Sequence, residues 1–173
     1  MVLRVDHLGE AHFTSDAALI DTSNSTLLDR VDCPEIDDVP VFLWRAPTGA
    51  PWDPITYWIG AEGLVVAFAT VRPFASGAIT GLEAIRAWSS PGIRATGLVR
   101  HLLVAASEGR PLISDREGMT PVAYAAMTKV QGVRRHWLDA VHGKLCDESE
   151  VPEGERFSTS PVAKRWCLVL EFM

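Results

Sequence analysis

Cysteine is scarce in this 173-residue chain: Cys33, Cys146 and Cys167 stand far apart and no CxxC pair occurs. That spacing excludes a disulfide framework and argues against a structural zinc site. Long apolar runs are missing as well. The longest is Leu64 to Ala69, against the roughly 20 residues that a membrane-spanning helix needs. The opening residues, Met1 to His7, contain no apolar core of a secretory signal, so a cytoplasmic location is expected and no membrane partner. Positive charge is in deficit, with 16 Lys and Arg against 22 Asp and Glu. A net charge of −6 repels phosphate, so nucleic acid is not an expected partner. Among the five histidines no pair has the i, i+4 spacing of a helical metal site, and HExxH and GxSxG are both absent. No metal is expected.

What is present is an ordinary globular composition, 47% hydrophobic and 22% charged, which fits one domain over residues 1–173. Asp21 to Asp38 is acidic and without apolar periodicity, and reads as a surface loop or short helix. Val39 to Trp44 reads as a strand, and the proline-rich Pro47 to Pro54 as a loop. Ile55 to Ile59 and Leu64 to Val71 form a predicted antiparallel hairpin, with Gly60-Ala61-Glu62-Gly63 supplying positive φ angles at the reversal. Pro73 to Thr80 reads as a loop and Leu82 to Trp88 as the next strand. A helix then follows Pro91-Gly92 and ends at Gly109, with Leu98, Leu102 and Ala105 on one face. Pro111 to Ser114 is a short strand. Thr120 and Pro121 make an N-cap and first-turn proline for a second helix that closes at Gly132. Arg134 to Val141 and Trp166 to Phe172 are further strands, with a charged loop from Asp147 to Thr159 between them. A strand–helix–strand unit favours a right-handed parallel crossover. The predicted fold class is therefore α/β: a mixed, mostly antiparallel sheet with a central strand–helix–strand–helix unit.

The segment Trp88-Ser89-Ser90-Pro91-Gly92-Ile93-Arg94-Ala95-Thr96-Gly97-Leu98-Val99-Arg100 carries the chemistry. It places an Arg-x-x-Gly turn between a strand and a helix. Free backbone N–H groups and the helix dipole make such a turn an anion site. The pattern resembles the coenzyme motif of the GNAT superfamily of N-acetyltransferases, Gln/Arg-x-x-Gly-x-Gly/Ala. The resemblance spans Ile55 to Gly132 and the last strand, and residues 1–54 carry no recognised pattern. Ile113-Ser114-Asp115 before Thr120-Pro121 is similar to small GNAT-like proteins of bacteriophages. The resemblance implies a GNAT-like fold, acetyl-CoA as co-substrate, and a diphosphate held on Arg94, Ala95, Thr96, Gly97, Leu98 and Val99. Two positions depart from the family. Val99 stands where a small residue is usual, and Met127 falls where many members carry a tyrosine acid. Tyr124, one turn earlier, is the candidate general acid.

Glu83 lies eleven positions before Arg94, the spacing at which some family members place a glutamate general base. The other reading is a charge on a solvent-facing strand position, or a cross-strand partner of Arg72. Ser114 and Asp115 line a cleft or make a turn. Lys129, Arg134 and Arg135 form a basic cluster that meets a coenzyme phosphate or simply solvent. Of the six tryptophans, five are expected in the sheet core and Trp52, in the proline loop, on the surface. Two functions follow. One is an acyl-CoA-dependent N-acyltransferase in which an amine, on a small molecule or a protein, attacks the thioester directly. The other is a catalytically silent GNAT-like protein-binding factor, such as a phage accessory or host-interaction protein.

Overall fold

The computed structural model describes residues 16–32, 40–61, 64–90, 97–116, 119–156 and 165–173. The strands are β1 (Thr26–Val31), β2 (Val41–Arg45), β3 (Ile55–Ala61), β4 (Leu64–Ala75), β5 (Thr80–Ser89), β6 (Leu112–Ser114), β7 (Val133–Asp139), β8 (Lys144–Cys146) and β9 (Trp166–Phe172). Two helices, α1 (Leu98–Ser107) and α2 (Pro121–Thr128), flank β6 in sequence. The strands form one sheet in the order β1-β2-β3-β4-β5-β6-β9-β7-β8. The β5·β6 contact is parallel, and the other ladders are antiparallel.

This architecture corrects the expected fold class. The described residues are mostly sheet, 45% strand against 20% helix, and do not form the GNAT-like strand–helix arrangement that the α/β expectation named. The physical reason is that strand pairing takes up segments expected to be irregular. Thr26–Val31 lies in the acidic stretch read as a loop, yet pairs with β2 as an edge strand. Its residues are exposed up to Val31, so no alternation of burial marked it in sequence. The β4·β5 ladder continues through Pro73↔Leu82 to Ala75↔Thr80, across residues expected to be a loop. Lys144–Cys146 adds a short strand at the far edge, paired with β7.

Alternation along β4 sets the two faces. Ala67, Ala69 and Val71 face α1, where Leu98, Leu102, Leu103 and Ala106 are buried with Tyr57 and Ile59 of β3. Small alanines on the strand let the helix approach closely, and each buried leucine contributes about 1.5–3 kcal/mol. On the other face Trp58, Phe68 and Trp88 form a separate cluster, while Phe74, Ile113, Leu138, Cys167 and Val169 form a third. Helix α2 joins the α1 side through Met127 and Tyr124, which stacks on Trp137 at 6.2 Å. Its start is as read from the sequence: Thr120 Oγ1 accepts the N–H of Ala123 at 3.1 Å, and Pro121 follows it. At the other end of α1, Glu108 holds a left-handed φ of 50°. Its carboxylate accepts the Tyr57 hydroxyl, which burial and that carboxylate together push up to about 12.

Two glycines are fixed by close approach. Gly60 is not a positive-φ turn residue, as expected, but part of β3. A Cβ there would stand 1.9 Å from the Leu64 carbonyl oxygen. Glu62 and Gly63 of the expected turn lie outside the described residues. At Gly81 a Cβ would stand 2.2 Å from the Pro111 oxygen, the atom that accepts the Leu82 N–H at 2.9 Å. Gly81→Ala is therefore expected to cost about 1–3 kcal/mol by forcing β5 from the β6 entry. Urea unfolding should show a lower midpoint, and an unchanged midpoint would contradict the close approach.

Candidate functional site

Helix α1 begins at Gly97, whose φ of 86° is left-handed and whose N-cap position carries no side-chain cap. The start of the helix thus presents its first N–H groups without a side-chain acceptor. Glycine is favoured here by its backbone angle, with the Arg100 side chain close by. The positive φ suits no Cβ, and a Cβ would stand 2.7 Å from Arg100 Nη2. Arg100 donates on to the Lys129 carbonyl at 3.5 Å, linking the start of α1 to the end of α2. Between them lies a cavity of about 280 Å3 bordered by Gly97, Arg100, His101, Lys129 and Gln131, with Asp32 at its edge. Arginine, lysine and a titratable histidine around a helix N-terminus make a site that favours an anion.

Of the residues expected to hold a diphosphate, Gly97, Leu98 and Val99 are at this helix start, whereas Arg94, Ala95 and Thr96 lie outside the described residues. Leu98 is buried. Val99 packs its side chain against the main core, so this branched residue is used in packing α1 onto the sheet. His101 is exposed. Tyr124 is half-buried against the core on α2.

The second element of the site is the parting of β5 from β6. Their ladder comprises Leu82↔Leu112, Glu83↔Ile113 and Ala84↔Ser114, and β6 ends there while β5 runs on to Ser89. The parting coincides with a bulge: on β4, Thr70 and Val71 face Arg86 and Ala84, which leaves Ile85 as the extra residue of β5. A bulge twists the strand and ends regular pairing, which is how a sheet opens a slot in its middle.

Glu83 sits just before that bulge and is fully buried. Its Oε2 accepts Arg72 Nε at 2.9 Å and Arg116 Nη2 at 3.1 Å. Its Oε1 accepts the backbone N–H of Arg116 at 2.8 Å and Arg116 Nε at 3.1 Å. Arg116 in turn lies over the Phe74 ring, 5.0 Å from its centroid. Burial alone would push the Glu83 carboxyl up, but the two guanidiniums and the N–H outweigh it and hold the carboxyl below its usual range. A general base needs the opposite shift and a free lone pair. These contacts make Glu83 the cross-strand partner of Arg72, the other reading given for it, with a second arginine that sequence reasoning missed. Arg116 follows a strand by two residues in a turn, and a buried glutamate needing two cations was the signal that could have found it. Ser114 likewise is no cleft residue: it is buried, and its Oγ accepts the Leu168 N–H at 2.9 Å.

A further charged cluster lies at the β7–β8 turn. Asp139 Oδ2 accepts Arg165 Nη2 at 2.7 Å and lies 2.8 Å from His142 Nδ1, while Oδ1 accepts the N–H groups of Val141 and His142. Arg165 chiefly, and His142 with these N–H groups, hold the carboxyl well below the usual aspartate range. Here too the arrangement is a staple: it ties the turn to the start of β9. Among the described residues no group of His, Cys, Asp and Glu is placed to hold a metal. No helix among the described residues is long and apolar enough to cross a membrane. In comparisons with known proteins, no family model and no curated sequence matches the chain.

Two predictions follow from the carboxylates. Glu83→Gln leaves two guanidiniums without their shared anion. The expected loss is on the order of 2–3 kcal/mol, below that for a fully buried pair because both arginines reach solvent. Equilibrium unfolding checks it, and a loss under about 0.5 kcal/mol would contradict the clamp. For Asp139 the folded-state pKa lies below the ordinary 3.8, so its stabilisation is present above pH 3.8 and is lost as pH falls further. Stability measured between pH 7 and acid should fall less steeply in Asp139→Asn than in the parent, and parallel curves would contradict the assignment.

Proposed function

We propose that the chain is an acyl-CoA-dependent N-acyltransferase. The observation that carries this reading is the parting of β5 and β6 after Ala84↔Ser114, on a sheet whose α1 begins beside a cationic cavity. A pantetheine arm is a chain of amides and pairs with strand backbone, so the run of β5 beyond the bulge suits it. The diphosphate of the coenzyme suits the start of α1, where Arg100 and Lys129 supply charge beside the cavity. The resemblance of Arg94 to Val99 to a coenzyme motif points to the same place.

In this reading the amine nitrogen attacks the thioester carbonyl, the C–S bond breaks, and the thiolate leaves with a proton. Tyr124 is assigned as the donor of that proton. Glu83 holds the strands and takes no proton, so the amine loses its own to water. A second reading, a binding factor without catalysis, is favoured by the same sequestration of Glu83 and by Trp52, which is 75% exposed. Transfer to an amine separates the two.

Thermal unfolding with acetyl-CoA is the first test. At a hundredfold excess over Kd, binding contributes about 2.7 kcal/mol, a rise of roughly 5–10 °C for a chain of this size. Arg100→Glu and Lys129→Glu should each cut the shift, and Tyr124→Phe should leave it while lowering turnover. No shift at millimolar acetyl-CoA would overturn the proposal.

A further inference from the structure

A second cavity, of about 430 Å3, opens on the face of the sheet away from α1. Its lining includes Phe68, Ile20 and Ile85, with Asp16, Asp21 and Arg86 as its charged groups. The face is set by β4: Phe68 belongs to the cluster opposite the α1 core. The position along the sheet is set by Ile85, the bulge residue at which β5 leaves β6. The cavity therefore borders β5 just beyond its ladder with β6, on the face opposite α1. Its size is within the range of small-molecule sites.

Its charge selects the ligand. Two carboxylates and one guanidinium leave a net −1. Arg86 is already engaged, since its Nη1 lies 2.5 Å from Asp16 Oδ2. Asp21 accepts hydrogen bonds from the backbone N–H and side-chain amide of Asn24, at 3.2 and 2.8 Å, and sits exposed at the rim. A carboxylate ligand would compete with Asp16 for Arg86 and face Asp21. An ammonium gains Asp21 without breaking the existing pair, and an apolar body covers the half-buried Ile20 and Ile85.

We infer that this cavity binds a small primary amine with an apolar body and no carboxylate. Its role as the acyl acceptor rests on the acyltransferase reading, whereas its binding does not. The test is calorimetric titration of the full chain, without coenzyme, with hexylamine, 6-aminohexanoate and hexanoate, which share a carbon number and differ in end charge. Hexylamine should bind about tenfold tighter than hexanoate, with 6-aminohexanoate between them. Asp21→Asn should weaken hexylamine about fivefold and leave hexanoate unchanged. Because that substitution also touches the Asn24 turn, the salt response of the parent chain is a second measure. Raising NaCl from about 20 mM to about 0.5 M should weaken hexylamine severalfold. Equal binding of the three ligands, tighter binding of the zwitterion, absence of hexylamine binding, or indifference to salt would each overturn the inference. Amine binding without any response to acetyl-CoA would sink the acyltransferase reading alone.

Discussion

The clamp on Glu83 is the constraint on which the rest of the structure depends. One buried carboxylate joins three pieces of chain: β5, which carries it, β4 through Arg72, and the segment after β6 through Arg116. A lone carboxylate at that depth would be driven to the neutral form. Two guanidiniums and a backbone donor keep it ionised and fully bonded, so the charge becomes a staple. Arg116 seated over Phe74 directs its fork back into the sheet. The parallel β5·β6 ladder is short, and this staple holds it at the place where it ends.

The sheet is firm up to Ala84 and opens beyond it. The bulge at Ile85 and the end of β6 at Ser114 fall at the same level, and a cavity stands on each side of the sheet around this part of the fold. The α1 side is cationic, through Arg100 and Lys129. The other is net acidic over an apolar floor. The other charged cluster, around Asp139, lies at the β7–β8 turn and fixes that turn.

How much of this was legible in the sequence follows from where the information is local. Thr120-Pro121 announced the start of α2 because capping is a contact three residues long. The β3–β4 hairpin and the last strand were legible because alternating β-branched and aromatic residues mark half-buried strands. The edge strand Thr26–Val31 was not, since nothing on it is buried until its end. Pro73 was taken for a loop residue because its partner Leu82 is supplied by another strand. The fold class went astray in the same way: helical patterns around Leu98 and Val122 stood out, while the extent of pairing that makes the chain mostly sheet is non-local. Within the site, Glu83 was singled out by its position, and its pairing with Arg72 was one of the readings given for it. Spacing along the chain located it, but its pKa depends on Arg116, which the fold brings from 33 residues away. The preference for Gly97 was legible, while the partnership of Arg100 with the end of α2 needed the third dimension.

The central proposal is that the α1 cavity and the run of β5 beyond Ala84 take an acyl coenzyme. Backbone amide chemical shifts, followed during titration of the full chain with acetyl-CoA, test it most directly. The account predicts perturbations confined to Gly97–His101, Lys129–Gln131 and the β5 run from Ile85 to Ser89, with Asp139 and the β7–β8 turn unmoved. Perturbations that avoid β5, or a spectrum unchanged at saturating ligand, would contradict it.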